Sequence, residues 1–432
     1  PSLALITELL GRHPSVAALA LQVVERAAGN PFFTEEIVRN LVERGVLEGH
    51  HGGYVCRGDV GDISVPATIQ ATIAARIDRL NATAKHTLNA AAVIGSRFSQ
   101  EILSSLIDSP ALVDVADAEL IDQVTFTPHV EYAFRHPLIR MVAYDSQLKS
   151  ERTELHRHLA AAIEARHPES ADENAALIAT HLEAAGDLRD AFRWHMRAAA
   201  WSTYRDIGAA RVSWERARQV ADRLPTDDQD QMSMRIAPRT LLCGSAWHIG
   251  GSVAGAGFDE LRELTTRAGD QVSLAIGMAG LLASLTFHSR YRESSQLASE
   301  CAGLLESIGD PTMTVGLLYG PQYAKLQAGE VTEVLRLNQR VIDFADGDPT
   351  KGNLIVGSPL ALAIAGRAAA KSCLGMPGWS EDFDNAIAMA RAFDATTYVI
   401  AVWYKYGTIT NGMVLSDSPA LRETARALQI AE

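Results

Sequence analysis

Two stretches of this 432-residue chain carry residue types that could do chemistry at short spacing. The first is Gly29-Asn30-Pro31-Phe32-Phe33-Thr34-Glu35-Glu36, and the second is Phe134-Arg135-His136-Pro137-Leu138-Ile139-Arg140. In the first, Gly29 can end one helix in the left-handed conformation, Asn30 can cap the next, and Pro31 fits a first turn that needs no N–H. Behind that corner, Phe33, Ile37, Leu41 and Val38 fall on one helical face, and Glu35 and Glu36 are placed in the first turn, at the positive end of the helix dipole. In the second stretch, His136 sits in a basic island with Arg135, Arg140, Lys149, Arg152 and Arg157. Two readings stay open for it. His136 senses a γ-phosphate or an acidic partner surface, or it caps a helix while the arginines pair with Glu151 and Glu154.

Other candidate chemistry is poorly supported. A nucleotide-hydrolysing site needs Gly-x-x-x-x-Gly-Lys-Ser/Thr to cradle phosphates, and no such run occurs. The Gly250 to Gly257 run lacks the preceding strand and βαβ context of a dinucleotide fingerprint, so it reads as an inter-helix loop. His50 and His51 are adjacent on a turn leading into a short strand, where neighbours point to opposite faces and cannot share a metal. The four cysteines form no C-x-x-C pair, and His181, His195 and His288 show no metal spacing. No catalytic residue and no metal site are therefore expected. A hydrolase with an unrecognised site would show itself as a buried carboxylate or His pair in a pocket.

The composition bounds the fold. Hydrophobic residues make up 47%, charged residues 21% and aromatics 6%, which favours a mostly helical globular protein of two to three domains. A formal charge of −13 argues against nucleic-acid and membrane-surface binding. No run of about 20 apolar residues is present, and a cytoplasmic home is expected. Ser2 to Ala28 reads as two short amphipathic helices. Val65-Pro66 starts another, with Ile69, Ile73, Ile77 and Leu80 on one face. Further helices cover Leu88 to Ile94 and Ile102 to Ile107, and two short strands, Gln123 to Pro128 and Glu131 to Phe134, make a hairpin. Three helices and a small hairpin outline a winged-helix-like domain. The segment before the hairpin carries Asp114, Asp117, Glu119 and Asp122, which disfavours DNA contact.

From Asn174 the chain becomes repetitive. Gly186-Asp187 and Arg205-Asp206 mark turns followed by a small residue at a fixed offset, and weaker echoes at Ser289, Gly329 and Gly375 lie about 40 residues apart, as in paired-helix repeats. Trp194, Trp201 and Trp214 read as packing between helices.

The first stretch, Gly-Asn-Pro-Phe-Phe followed by Glu-Glu-Ile-Val, resembles the Gly-x-Pro segment in the helical lid of STAND-class ATPases, the signalling branch of the AAA-like P-loop proteins. The second, continuing through Arg140 to Tyr144, resembles a pattern in large bacterial regulators of the LuxR and adenylate-cyclase-fused kinds, nearest to mycobacterial multidomain members. The resemblance implies that Gly29, Asn30 and Pro31 approach an adenine and that His136 makes a nucleotide-dependent contact, only together with a P-loop domain that this chain lacks. It implies ATP or ADP with magnesium in a parent protein and none held by this chain alone. Because the chain opens on Pro1 and stops within a helical pattern, a C-terminal piece is expected, with its P-loop domain upstream in cis.

The expected fold is mainly α: a helical lid over 1–49, a winged-helix-like domain with a small hairpin over 50–171, and a TPR-like α-solenoid over 172–432. The expected role is a non-catalytic regulatory piece whose repeats sense a protein or small-molecule inducer. A stand-alone TPR-like interaction scaffold without nucleotide binding is the alternative.

Overall fold

The computed structural model describes residues 2–27, 29–57, 68–166, 168–225, 230–246, 257–353, 357–410 and 418–431. Val65-Pro66 and residues 250–256 of the glycine-rich run lie outside them. The chain is mainly helical and divides into two compact units, Pro1–Ala191 and Phe192–Glu432.

Unit 1 begins with α1 (Ser2–Leu10), α2 (Ala17–Ala27) and α3 (Pro31–Glu43). The corner before α3 follows from local chemistry. Gly29 takes φ +84°, and the Asn30 side chain accepts a hydrogen bond from the Phe33 N–H at 3.2 Å. Phe33, Ile37, Val38 and Leu41 are buried. Glu35 and Glu36 depart from expectation: with Pro31 as its first residue α3 carries no acid in its first turn, and Glu36, in the second, is 1% exposed. A two-stranded hairpin follows, β1 (Leu47–Glu48) with β2 (Val55–Cys56).

Next come α4 (Ile69–Asp78), α5 (Ala82–Ile94), β3 (Arg97–Ser99), α6 (Gln100–Leu106), α7 (Leu112–Asp117), β4 (Ile121–Thr125) and β5 (Glu131–Phe134). Ile69, Ile73 and Ile77 are buried, as their spacing predicts. The expected hairpin is one side of a three-stranded antiparallel sheet ordered β3-β5-β4. β3 escapes a sequence reading because three residues with one apolar centre, Phe98, carry too little periodicity. Unit 1 continues with α8 (Pro137–Asp145), α9 (Lys149–Arg166) and α10 (Ala175–Ala185), which packs on α9.

Helix α11 (Leu188–Ser202) contains the border between the units. Unit 2 proceeds through α12 (Ile207–Asp222), α13 (Gln231–Gly244), α14 (Phe258–Ala268), α15 (Gln271–Phe287), α16 (Tyr291–Ile308), α17 (Pro311–Leu317) and α18 (Tyr319–Gln327). It closes with α19 (Val331–Ala345), α20 (Pro359–Cys373), α21 (Trp379–Phe393), α22 (Ala395–Thr410) and α23 (Ser418–Ala431). Consecutive helices pack as pairs in a TPR-like stack. The turns that sequence spacing singles out lie between helices: Gly186, Ser289, Gly329 and Gly375 all have positive φ.

The stack has two layers. Helices α13, α15, α18, α20 and α22 pack against one another in succession, whereas α14, α16, α19, α21 and α23 pack chiefly on this first layer. Close approach is enforced by size. A Cβ on Gly280 of α15 would lie 2.1 Å from the Cys243 carbonyl oxygen of α13. The outer helices are joined by long charged side chains, such as Arg262 to Glu300 at 3.2 Å and Arg336 to Glu306 at 3.7 Å. The tryptophans split in role: Trp214 is buried with Ala199 and Ala210, while Trp194 and Trp201 each lie under an arginine of their own helix region, Arg197 and Arg205.

Candidate functional site

The two stretches that carry the chemical candidates meet. Phe32, the second residue of α3, stacks on His136 with ring centroids 3.9 Å apart and planes within 10°. Their positions are set locally. Asn30 and Pro31 start α3 at the corner, and His136 caps α8, its Nδ1 accepting from the Leu138 N–H at 3.1 Å with Pro137 in the first turn. An acceptor Nδ1 places the proton of the neutral ring on Nε2. Gly29, Asn30 and Pro31 are exposed, and Phe32 and His136 are half-buried. A sequence can name both segments but cannot pair residues about a hundred positions apart.

A polar junction that the sequence did not reveal begins one turn further along α3. The Glu36 carboxylate of α3 faces Arg76 of α4, whose NH1 approaches both carboxylate oxygens, and both side chains are almost fully buried, at 1% and 4% exposure. The other terminal nitrogen of Arg76, NH2, donates to the Ala118 and Glu119 carbonyls at 2.6 and 3.0 Å. Glu119 also receives Arg39 of α3 and, at 2.8 Å, Arg135, which further pairs with Asp122. One turn, between α7 and β4, is thereby tied to α3, α4 and the strand end that leads to His136. A Glu in a helical first turn reads as solvated until its distant partner is known.

The arginines of the basic island are spent on structure. Arg140 donates to the Ala92 carbonyl at 3.0 Å. Arg152 lies over the Tyr144 ring and donates to its carbonyl at 3.1 Å. Arg157 pairs with Glu154, as expected, and with Asp187 of the turn after α10. The Asp187 hydrogen bond raises the Arg157 guanidinium further above its ordinary range, and the same contact lowers the Asp187 carboxyl.

His181 is not isolated. Its Nδ1 lies 3.0 Å from Nδ1 of His156, and His156 Nε2 lies 2.9 Å from the Tyr144 hydroxyl. Burial, foremost, pushes both histidines down to about 4; for His156 the neighbouring His181 adds to the shift, and for His181 the charge of Arg140 does. Both rings are thus neutral at physiological pH, one donating to the other. This is a buried His pair, but it joins α8, α9 and α10 and does not line the cleft described below.

Elsewhere the chemistry is structural. In unit 2, Lys325 Nζ lies 2.8 Å from Ser295 Oγ and 2.7 Å from Glu330. A base and hydroxyl at that spacing suggest a nucleophile, but the Ser295 hydroxyl donates to Glu330 and Lys325 donates to Ser295, so the lysine is not placed to take the hydroxyl proton. An open cleft of about 830 Å³ in unit 1 is lined by Glu101, Ile102, Leu106, His158 and Arg166, away from the Gly29 corner and from His136. Among the described residues no group of three or more His, Cys, Asp or Glu is placed to hold a metal, and no helix is long and apolar enough to cross a membrane.

Residues 1–49 match a family described as Domain of unknown function (DUF8739). An uncharacterized protein of Rhizobium meliloti (strain 1021) is 26% identical over 175 residues, covering 39% of this chain. The match spans 16% of that relative's length. Two solved structures show similarity to this chain. One is a Signal Transduction ATPase with Numerous Domains (STAND) protein with a tetratricopeptide repeat sensor from Pyrococcus horikoshii, at 14% identity and TM-score 0.39, covering all of this chain and 65% of that one. The other is the apo form of RapI, at 10% identity and TM-score 0.47, covering 96% of each chain.

Proposed function

We propose that unit 1 is the non-catalytic half of a nucleotide switch and that the repeats of unit 2 are its sensor. In this reading residues 1–49 form a STAND-type lid and residues 50–171 a winged-helix-like clamp. The repeats, from about residue 172, bind a protein or small-molecule inducer. A P-loop domain upstream in cis would supply the phosphate cradle and magnesium. The observation that carries the reading is the Phe32–His136 stack, which joins the Gly29-Asn30-Pro31 corner to the His136 segment. Adenine would lie against the corner, and the Nε2–H of His136 would donate to a nucleotide oxygen. The parent would then be a regulator of the adenylate-cyclase-associated or LuxR-type kind. Inducer bound to unit 2 would shift the closed, ADP-holding arrangement only by binding the open one more tightly.

A second reading, a scaffold without nucleotide, draws on the same ring: His136 already spends Nδ1 on a cap and one face on Phe32. Calorimetric titration with magnesium-ATP and magnesium-ADP separates the two. It should be run on this chain and on a longer polypeptide that includes the upstream P-loop domain. Binding by the longer polypeptide alone, weakened by Pro31→Ala and by His136→Asn, which keeps a cap but loses the ring, supports the switch. Tight binding by this chain alone would place a phosphate cradle within it, and no binding by either would leave the scaffold.

A further inference from the structure

The first layer of unit 2 differs from the rest of the molecule in charge. In a chain of formal charge −13, helices α15, α18, α20 and α22 contain no Asp or Glu. Their cations turn to acids outside the layer: Lys325 to Glu330, Arg367 and Lys371 to Asp382, and Lys405 to Asp384. What this neutral face presents is aromatic. Phe287 at the end of α15 lies 6.5 Å from Tyr323 of α18, and Tyr323 lies 6.1 Å from Trp403 of α22, ring to ring. Phe287 is 61% exposed and Trp403 50%, far more than packing rings need be.

The strip is supported from behind. Tyr319 stacks on Tyr323 at 6.2 Å, and Tyr404, itself buried, stands edge-on to Trp403 at 5.3 Å. Ala361, Ala365 and Ala368 of α20 pack in the same cluster, and their small size lets rings from α18 and α22 meet across that helix. A row of aromatic rings held in place loses little entropy on binding.

We infer that this strip, within the reading of unit 2 as a binding solenoid, takes an extended, uncharged peptide segment with apolar side chains at alternate positions. Two observations select that occupant. The ring spacings of 6.1 and 6.5 Å match the two-residue repeat of an extended chain, about 6.6 Å. The absence of acids from these helices removes any counter-charge for a cationic ligand, which would have only the ring faces to offset its lost hydration, and their cations are engaged, so an anionic segment gains no partner.

The test uses the whole chain and fluorescence anisotropy of a labelled, end-blocked short peptide with Leu and Phe at alternate positions and Ser between. The same peptide with Glu or with Lys at the alternate positions is the comparison. The apolar peptide should bind about tenfold or more tighter than either charged one, and Trp403→Ala and Phe287→Glu should each cost about tenfold. Trp403→Phe should keep most of the affinity, and thermal melts should confirm that all three variants fold. Equal binding by the variants, equal binding of a charged peptide, or no binding of any peptide would overturn the inference. Capture of the aromatic dye ANS without peptide binding, lost in Trp403→Ala, would assign the strip to a small ligand and overturn it equally. Magnesium-ADP titration of the longer polypeptide separates the two levels. If nucleotide binds and peptide does not, only the occupant is wrong; if peptide binds and nucleotide does not, the switch fails and the strip stands.

Discussion

The two units join helices by different means. Unit 1 closes over polar groups that are buried on both sides of the contact: Glu36 with Arg76, and His156 with His181. Unit 2 also joins helices through buried polar groups, but uncharged ones, Asn338 with Gln322 and Thr286 with Ser294, and its buried cations pair with acids that reach the surface, as Arg239 does with Glu260 at 44% exposure and Lys325 with Glu330 at 44%. Its closest contacts are made by small residues, as where Gly280 meets the backbone of α13. A charge pair without water is directional, and separating it is costly, so unit 1 holds one arrangement of α3, α4 and the turn before β4. Small-residue packing carries no such directional lock and leaves a face free of charge.

The largest test of that contrast is Arg76→Met. It removes the buried partner of the Glu36 carboxylate and leaves it only Arg39, at 2.9 Å, so it should cost about 3 kcal/mol in denaturant unfolding, the lower end for a broken buried pair, while Glu36→Met/Arg76→Met should recover much of the loss. If the single variant costs under about 1 kcal/mol, the junction is not the lock it is taken for.

Acid comes next. His156 and His181 have folded pKa values near 4, below the ordinary value of 6.5. Below about pH 6.5 the unfolded chain takes up protons that the fold refuses, so unit 1 should lose stability as pH falls from about 6.5 to 4, on the order of 2–3 kcal/mol per ring. No such change is expected above that window. Chemical denaturation at pH 7 and pH 4.5 should show the slope, and His156→Phe/His181→Phe should flatten it; a slope unchanged in the double variant would remove the pair from the comparison.

In unit 2, Gly280→Ala sets a helix-propensity gain of about 1 kcal/mol against a clash with backbone that cannot rotate away. The clash should win by about 1–3 kcal/mol, read as a lower unfolding midpoint. A neutral or stabilised variant would show that α13 and α15 are free to separate. The smallest effect is at the corner. Asn30→Ala should cost about 1 kcal/mol through the lost cap, with Asn30→Asp near neutral; thermal melts of both variants check it.

Local grammar was legible. The left-handed Gly29, the Asn30 cap, Pro31 at the helix start, the apolar face of α3 and the inter-helix turns at Gly186, Gly329 and Gly375 all depend on residues within a few positions of one another. The mainly helical class and the paired helices follow from the same short-range signals. Less was legible at the candidate site. The sequence named the Gly29 corner and His136 but left both a cap and a phosphate sensor open for His136. The cap is what the local geometry contains, and nucleotide contact awaits the titration.

Tertiary structure decided the rest, because it depends on partners far apart in the chain. Glu36 became a buried ion instead of a solvated first-turn acid only when α4 brought Arg76 to it, forty positions away. β3 exists because β5 pairs with it, and His181 acquired meaning from His156. The aromatic strip across α15, α18 and α22 is likewise a product of stacking. Short-range sequence sets which face of a helix is apolar; which other face it meets is set by the summed burial and polar pairing of the whole unit.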